Sequence, residues 1–107
     1  VLTAVSGSGP AYFFLAIEAL EEAAVRAGMT AEIDRLLAVQ TAFGAAKLAL
    51  ENEAPAGELR RRVTSPGGTT ERALAELEQG GLRELFNRAV AAARTRSHEL
   101  ATQLGEH

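Results

Sequence analysis

The chain has no cysteine, which excludes disulfides, thiol nucleophiles and zinc sites of the cysteine type. Histidine is nearly as scarce: His98 and His107, both close to the end, are the two in the chain. Neither a paired-histidine metal site nor a Ser-His-Asp triad can be assembled from them, so no metal site is expected. Aromatic residues make up 5% of the chain, whereas 22 of its 107 residues are alanine. Small side chains let helices approach closely, but each buries little apolar area, so stability must come from many close contacts or from a partner chain. Basic clusters are also few. Arg60, Arg61 and Arg62 form the one basic run in a chain of formal net charge −3. Successive helical residues point about 100° apart, so this run reads as a solvated helix face and nucleic acid is not an expected partner. The uncharged stretch from Val1 to Ile17 is broken by Ser6-Gly7-Ser8-Gly9-Pro10, closed by Glu18 and preceded by no basic leader. No membrane span is expected from it, and the chain reads as soluble and cytoplasmic. The first residue is Val rather than Met, which points to a piece of a longer protein.

No segment alternates with period two over a strand's length, and no internal repeat is visible. The fold class read from the sequence is all-α, a single domain over residues 1–107 with five helices. Val1 to Val5 is expected to be extended. Pro10 falls in the first turn of a helix running from Gly9 to Ala27, with Gly28 as its stop. Phe13, Ile17, Leu20 and Ala24 recur there at the spacing of one face. Thr30 is the expected cap of a second helix reaching Asn52, with the apolar stripe Ile33, Leu36, Leu37, Phe43 and Leu48. Gln40 and Lys47 interrupt that stripe and read as long side chains that lay their stems on apolar surface and carry their tips to water. At 1.5 Å per residue the second helix spans about 34 Å, longer than a small domain's core, so part of it is expected to pack on something beyond one chain. Pro55 opens a short third helix to Val63. A fourth runs from Thr70 to Gln79, ended by Gly80 and Gly81, and a fifth from Leu82 to Gln103.

Between the third and fourth helices lies Thr64-Ser65-Pro66-Gly67-Gly68-Thr69-Thr70. Proline fixes the backbone, two glycines let it turn, and two threonines stand where a helix must begin. The first turn of a helix has unpaired N–H groups and the positive end of the dipole, so this elbow can cradle a carboxylate or phosphate. On the residues alone a plainer reading stands beside it: Pro-Gly-Gly is a turn, and Thr69 or Thr70 an N-cap.

Three segments in register carry a resemblance. Ser6-Gly7-Ser8-Gly9-Pro10-Ala11-Tyr12 opens the first helix, Gln40-Thr41 with Gly44-Ala45-Ala46-Lys47 lies in the second, and Thr64 to Thr70 opens the fourth. Together with Glu78-Gln79-Gly80-Gly81-Leu82 and Glu99-Leu100, they resemble the C-terminal domain of the pyrroline-5-carboxylate reductase family, from Thr3 to Leu100. That resemblance implies a reductase that converts Δ1-pyrroline-5-carboxylate to L-proline with NADPH or NADH. It implies a homodimer of interlocked helices, assembled in the family into larger rings such as decamers. It also implies a helical dimerisation and substrate domain that follows a Rossmann domain. No Gly-x-Gly-x-x-Gly after a strand is present here, so no nicotinamide cofactor is expected on this chain alone, and the chain alone is expected to be inactive.

Residue by residue, the resemblance implies that Ser65, Gly67, Gly68, Thr69 and Thr70 bind the substrate. The N–H groups of Gly68, Thr69 and Thr70 with the Ser65 hydroxyl would hold its carboxylate, and the catalytic Thr70 hydroxyl would stand near the imine nitrogen. Glu53 matches a family carboxylate near the substrate, with an exposed acid at a helix end as the other reading. Val63 is read as a contact to the nicotinamide edge, with a buried β-branched residue at a helix end as the equally good other reading. Two alternatives of different kind are a free-standing helical dimerisation module, and the helical domain of another NAD(P)-dependent reductase of small acids.

Overall fold

The computed structural model of the chain describes residues 3–104; Val1, Leu2 and residues 105–107, His107 among them, lie outside the described residues. A π-helical turn, Thr3–Gly7, is followed by five α-helices: α1 (Gly9–Arg26), α2 (Ala31–Glu51), α3 (Ala56–Arg62), α4 (Thr69–Gln79) and α5 (Leu82–Gln103). The described residues contain no strand. The helices fall where punctuation in the sequence puts them, within a residue or so at each end. The expected extended lead is corrected: from Thr3 onward it is coiled, and it packs against α5. Without a neighbouring strand, an extended segment leaves its amides and carbonyls unpaired, and a helical turn pairs them locally.

The chain forms two compact units. The first combines residues 3–12 with residues 72–104. Within it, Tyr12 meets Phe86 edge-on, with ring centroids 6.3 Å apart and planes at 81°. The end of α4 turns into α5 through Gly80 and Gly81, the latter left-handed at φ 86°. Across that turn the Arg83 guanidinium donates to both carboxylate oxygens of Glu78 at 2.7 Å. This hydrogen-bonded pair, and then the charge of Glu78, hold the Arg83 pKa above its ordinary value.

The second unit runs from Phe13 to Glu71. Here α1 ends in a Schellman motif: Met29 N–H donates to Ala24 C=O at 3.1 Å and Gly28 N–H to Val25 C=O at 3.0 Å. Thr30 occupies the N-cap of α2 as expected, but its hydroxyl makes no capping bond; its carbonyl accepts from Asp34 N–H instead. Glu32 and Asp34 place negative charge on the first turn of α2, where the helix dipole favours it. At the other end Asn52 closes the helix twice over, its N–H and its Nδ2 both donating to Leu48 C=O at 3.0 Å. Pro55, at φ −65°, opens α3. Glu58 then pairs with Arg61 at 3.0 Å and Arg62 at 3.6 Å, so two of the three clustered arginines are answered on their own helix. Lys47 reaches Glu51 one turn on at 4.0 Å.

The apolar stripes have the expected spacing, yet the single chain does not bury them. Phe13 is 67% exposed, Phe43 67% and Leu50 87%, while the one buried hydrophobic residue among the described ones is Ala38. The chain exposes 8747 Å². A compact monomer of 11.3 kDa exposes about 5,700 Å², and even two separate compact bodies of half that mass expose about 6,900 Å². Among the side chains left open are large apolar ones on α1 and α2, Phe13, Phe14, Ile33, Leu36 and Phe43 among them.

Candidate functional site

The elbow between α3 and α4 lies within the second unit and is built in three steps. Thr64 first closes α3: its N–H donates to Arg61 C=O at 3.1 Å and its hydroxyl to Arg60 C=O at 2.6 Å. Pro66 and Gly67 then form the corner of a β-turn closed by Gly68 N–H donating to Ser65 C=O at 3.0 Å. Gly67 sits at φ 72°, a left-handed conformation that the third position of a Pro-Gly type II turn demands and that a side chain opposes. Last, the Glu71 carboxylate on the first turn of α4 reaches back and accepts from Gly67 N–H at 3.0 Å. A glutamate folding back from the third helical position resembles half of a capping box, shifted here by one residue.

Thr69 and Thr70 are the first two residues of α4. Their N–H groups have no carbonyl four residues back within the helix, and no described group outside it accepts from them. Neither hydroxyl caps the helix. The plainer reading, in which one of these threonines is the N-cap, is therefore not what the structure shows: Gly68 precedes the helix and the threonines lie inside it. Ser65, Thr69 and Thr70 are all exposed. Two adjacent donors at the positive end of a helix, next in sequence to the exposed hydroxyl residues Ser65, Thr69 and Thr70, are therefore open to solvent.

Gly68 N–H, which the sequence reading placed among the open donors, is spent on the turn, and Gly67 N–H is spent on Glu71. The two glycines shape the elbow instead. A Cβ built on Gly68 would stand 3.2 Å from the Ser65 carbonyl oxygen and 3.5 Å from its Cβ, so this position needs the missing side chain for space. Sequence reasoning did not find Glu71, although a glutamate three residues after the residue preceding a helix is a legible signal.

The remaining candidates are less tightly joined. Glu53 is exposed in the link between α2 and α3, and no hydrogen bond or ion pair ties it to the elbow. Val63, at the C-terminal end of α3, is 67% exposed, which overturns the reading of it as a buried β-branched residue. It borders an apolar cavity of about 420 Å³ whose walls include Leu48, Ala49, Asn52, Leu59 and Arg60.

A family model described as pyrroline-5-carboxylate reductase dimerisation matches residues 1–100. The pyrroline-5-carboxylate reductase of Pseudomonas aeruginosa is 51% identical over 105 residues, which are 98% of this chain and 38% of that protein. That of Pisum sativum is 49% identical over 100 residues, covering 94% of this chain and 37% of its own length. Among solved structures, a pyrroline-5-carboxylate reductase from Coxiella burnetii superposes with a TM-score of 0.90 at 56% identity, over 92% of this chain and 37% of that one. The Plasmodium falciparum enzyme, crystallised with NADP bound, gives 0.86 at 36% identity over 90% of this chain and 37% of that one. The chain thus spans little more than a third of the relatives it matches. A family match across almost its whole length, close relatives of one name and the same helical fold lead to one conclusion: this chain belongs to the pyrroline-5-carboxylate reductase dimerisation family.

Proposed function

We propose that the chain is the dimerisation and substrate-binding domain of a pyrroline-5-carboxylate reductase, which reduces Δ1-pyrroline-5-carboxylate to L-proline with NADPH or NADH. The observation that carries this reading is the pair of open N–H groups at Thr69 and Thr70 on a pinned turn. The substrate is a small planar ring with a carboxylate beside an imine. Its carboxylate accepts from those two amides and from the Ser65 hydroxyl, charge-assisted bonds in the field of a helix N-terminus. Gly67 and Gly68 serve by shaping the turn. Holding the carboxylate fixes the ring's orientation, and the Thr70 hydroxyl then stands as a donor for the imine nitrogen. A threonine hydroxyl is a weak acid, so its contribution is orientation and electrostatic stabilisation, while Glu53 is proposed to position a water.

The described residues contain no strand and so do not fit a dinucleotide bound in the Rossmann manner. The reductant is assigned to the part of the relatives that this chain does not span, with Val63 at its nicotinamide edge. Pairing of two chains is supported by the exposed apolar faces of α1 and α2. Fully burying one such side chain stabilises by about 1.5–3 kcal/mol, so covering half of those faces contributes on the order of 10 kcal/mol, comparable with the 5–15 kcal/mol that is typically a domain's whole stability. A homodimer, with larger rings built from it, answers that surface.

Calorimetric titration with L-proline, the saturated five-membered ring acid with the same carboxylate, tests the assignment. The wild-type chain is expected to bind it weakly, and Thr70→Ala to bind at least about tenfold more weakly, through loss of the charge-assisted bond that the proline ammonium donates to the Thr70 hydroxyl oxygen. Equal binding by both proteins would remove Thr70 from the site. Sedimentation equilibrium on the same samples, if it gave a monomer at micromolar concentration, would remove the pairing.

A further inference from the structure

At the junction of α1 and α2, away from the elbow in sequence, one charged group is buried. Asp34 is 3% exposed, and its Oδ2 is fully covered with no hydrogen-bond partner. It lies on the first turn of α2, where its own N–H donates to Thr30 C=O at 3.0 Å, so its backbone is satisfied and its carboxylate oxygen is not. Unpartnered buried carboxylate oxygens are rare in folded proteins, because removing the group from water without a compensating donor is costly. Asp34 is also a wall of an open cleft of about 350 Å³, together with Glu21, Glu22, Val25, Arg26 and Ala31. Three carboxylates and one guanidinium therefore line one concavity. The guanidinium is not committed to Asp34: Arg26 stands 3.9 Å from Glu22, beyond hydrogen-bonding distance, with its side chain 80% exposed.

We propose that this cleft binds an ammonium or guanidinium group, with the buried Asp34 carboxylate as its anchor and Glu21 and Glu22 as its rim. A nitrogen cation fits better than a metal ion. No three acidic or histidine side chains among the described residues are arranged to hold a metal, whereas an N–H cation needs only one well-placed acceptor and a negative surround. Glu22 and Arg26, which line the same cleft, keep their side chains exposed (59% and 80%). The site is independent of the elbow and of the substrate proposed for it. The cation comes either from a free small amine or from an arginine or lysine of a second copy of the chain, and the chemistry at Asp34 is the same.

Ligand-observed NMR titration of the protein with methylguanidinium and with methylammonium tests this, with tetramethylammonium as a cation of equal charge that has no N–H. Saturable binding of the first two in the millimolar range is expected, about tenfold weaker in Asp34→Asn and for tetramethylammonium. Arg26→Gln, which removes the resident cation, is expected to bind at least as tightly as wild type. No saturable binding to the wild type, equal binding by Asp34→Asn, or equal binding of tetramethylammonium would each overturn the site. Should Asp34→Asn fail to fold, the Asp34 carboxyl carbon resonance in the wild type must move saturably with methylguanidinium, and a static resonance overturns the site equally. Sedimentation with and without methylguanidinium distinguishes the sources. Dissociation of an assembly by the probe assigns the natural cation to a second copy, and an unchanged assembly assigns it to a free amine; both outcomes support the site.

Discussion

Two Gly-Gly junctions in this chain do opposite things. At Gly67-Gly68 and at Gly80-Gly81 a helix is left and another entered, and each has one glycine in the left-handed region, Gly67 at φ 72° and Gly81 at φ 86°. Each is also braced by a glutamate. At the second junction the brace joins charge to charge: Glu78 takes two bonds from Arg83 on the first turn of α5, a cation and its counterion beside that helix start. At the first, Glu71 takes a backbone N–H of the turn, which leaves the two amides ahead of it open among the hydroxyls of Ser65, Thr69 and Thr70. A helix N-terminus after a glycine turn is therefore not a site in itself. The side chains that surround it decide whether its donors stay available.

Substituting the glycines breaks that comparison most sharply. Gly68→Val places a branched side chain against the Ser65 carbonyl oxygen, where a Cβ alone already stands at 3.2 Å. Backbone cannot give way as a flexible side chain can, so the turn must open and the amides of Thr69 and Thr70 lose their direction. Calorimetry is expected to show no measurable proline binding, with helicity by circular dichroism retained. Gly81→Val meets nothing within 4 Å but must hold a β-branched residue at φ 86°, at a cost of about 1–3 kcal/mol. That variant should unfold at lower urea and bind proline as wild type does. If both variants lost binding equally, the elbow would have no special claim.

Much of this contrast was readable beforehand. Pro10, Pro55, Gly28 and the Gly80-Gly81 pair punctuate the helices because proline and left-handed glycine act locally, on their own backbone. The elbow was readable for the same reason. What was not readable depends on contacts across distance or on competition for one donor. The claim of Gly68 N–H on Ser65 C=O, and that of Gly67 N–H on Glu71, follow from the turn's closure rather than from residue type. Val63 and Phe43 have core-like chemistry and are exposed, because which apolar residues find cover depends on packing between elements and not on residue type. Asp34 looks in sequence like any acid favouring a helix dipole, and its burial arises only where α1 and α2 meet.

Glu71 offers a finer cut. Its bond to Gly67 N–H is exposed to solvent, so its loss in Glu71→Ala should cost about 0.5–1.5 kcal/mol, read as a lower urea midpoint. Its charge acts in the other direction on a bound carboxylate, by repulsion close to the helix start. Glu71→Gln keeps an acceptor for Gly67 and removes the charge. Proline affinity is expected to rise in Glu71→Gln and to fall in Glu71→Ala, where the turn is released. Equal affinities in the two variants would show that the brace does not shape the elbow, and affinities unchanged from wild type that its charge does not repel there.

Arg83 is the smallest lever and the best control. Its pair with Glu78 is short and doubly bonded, yet both side chains are exposed, and exposed pairs contribute little and are screened by salt. Its pKa is raised by the hydrogen bond and then by the charge of Glu78. What it adds to stability is therefore complete below the ordinary arginine value and is lost only as pH climbs through the raised one. Across neutral and mildly alkaline pH the contribution is flat. Arg83→Ala should lower the urea midpoint slightly in dilute salt, equally at each pH in that range, and by less in concentrated salt, with proline binding unchanged. A loss of binding in Arg83→Ala would mean that the closed junction acts on the open one, and the independence on which the comparison rests would fail.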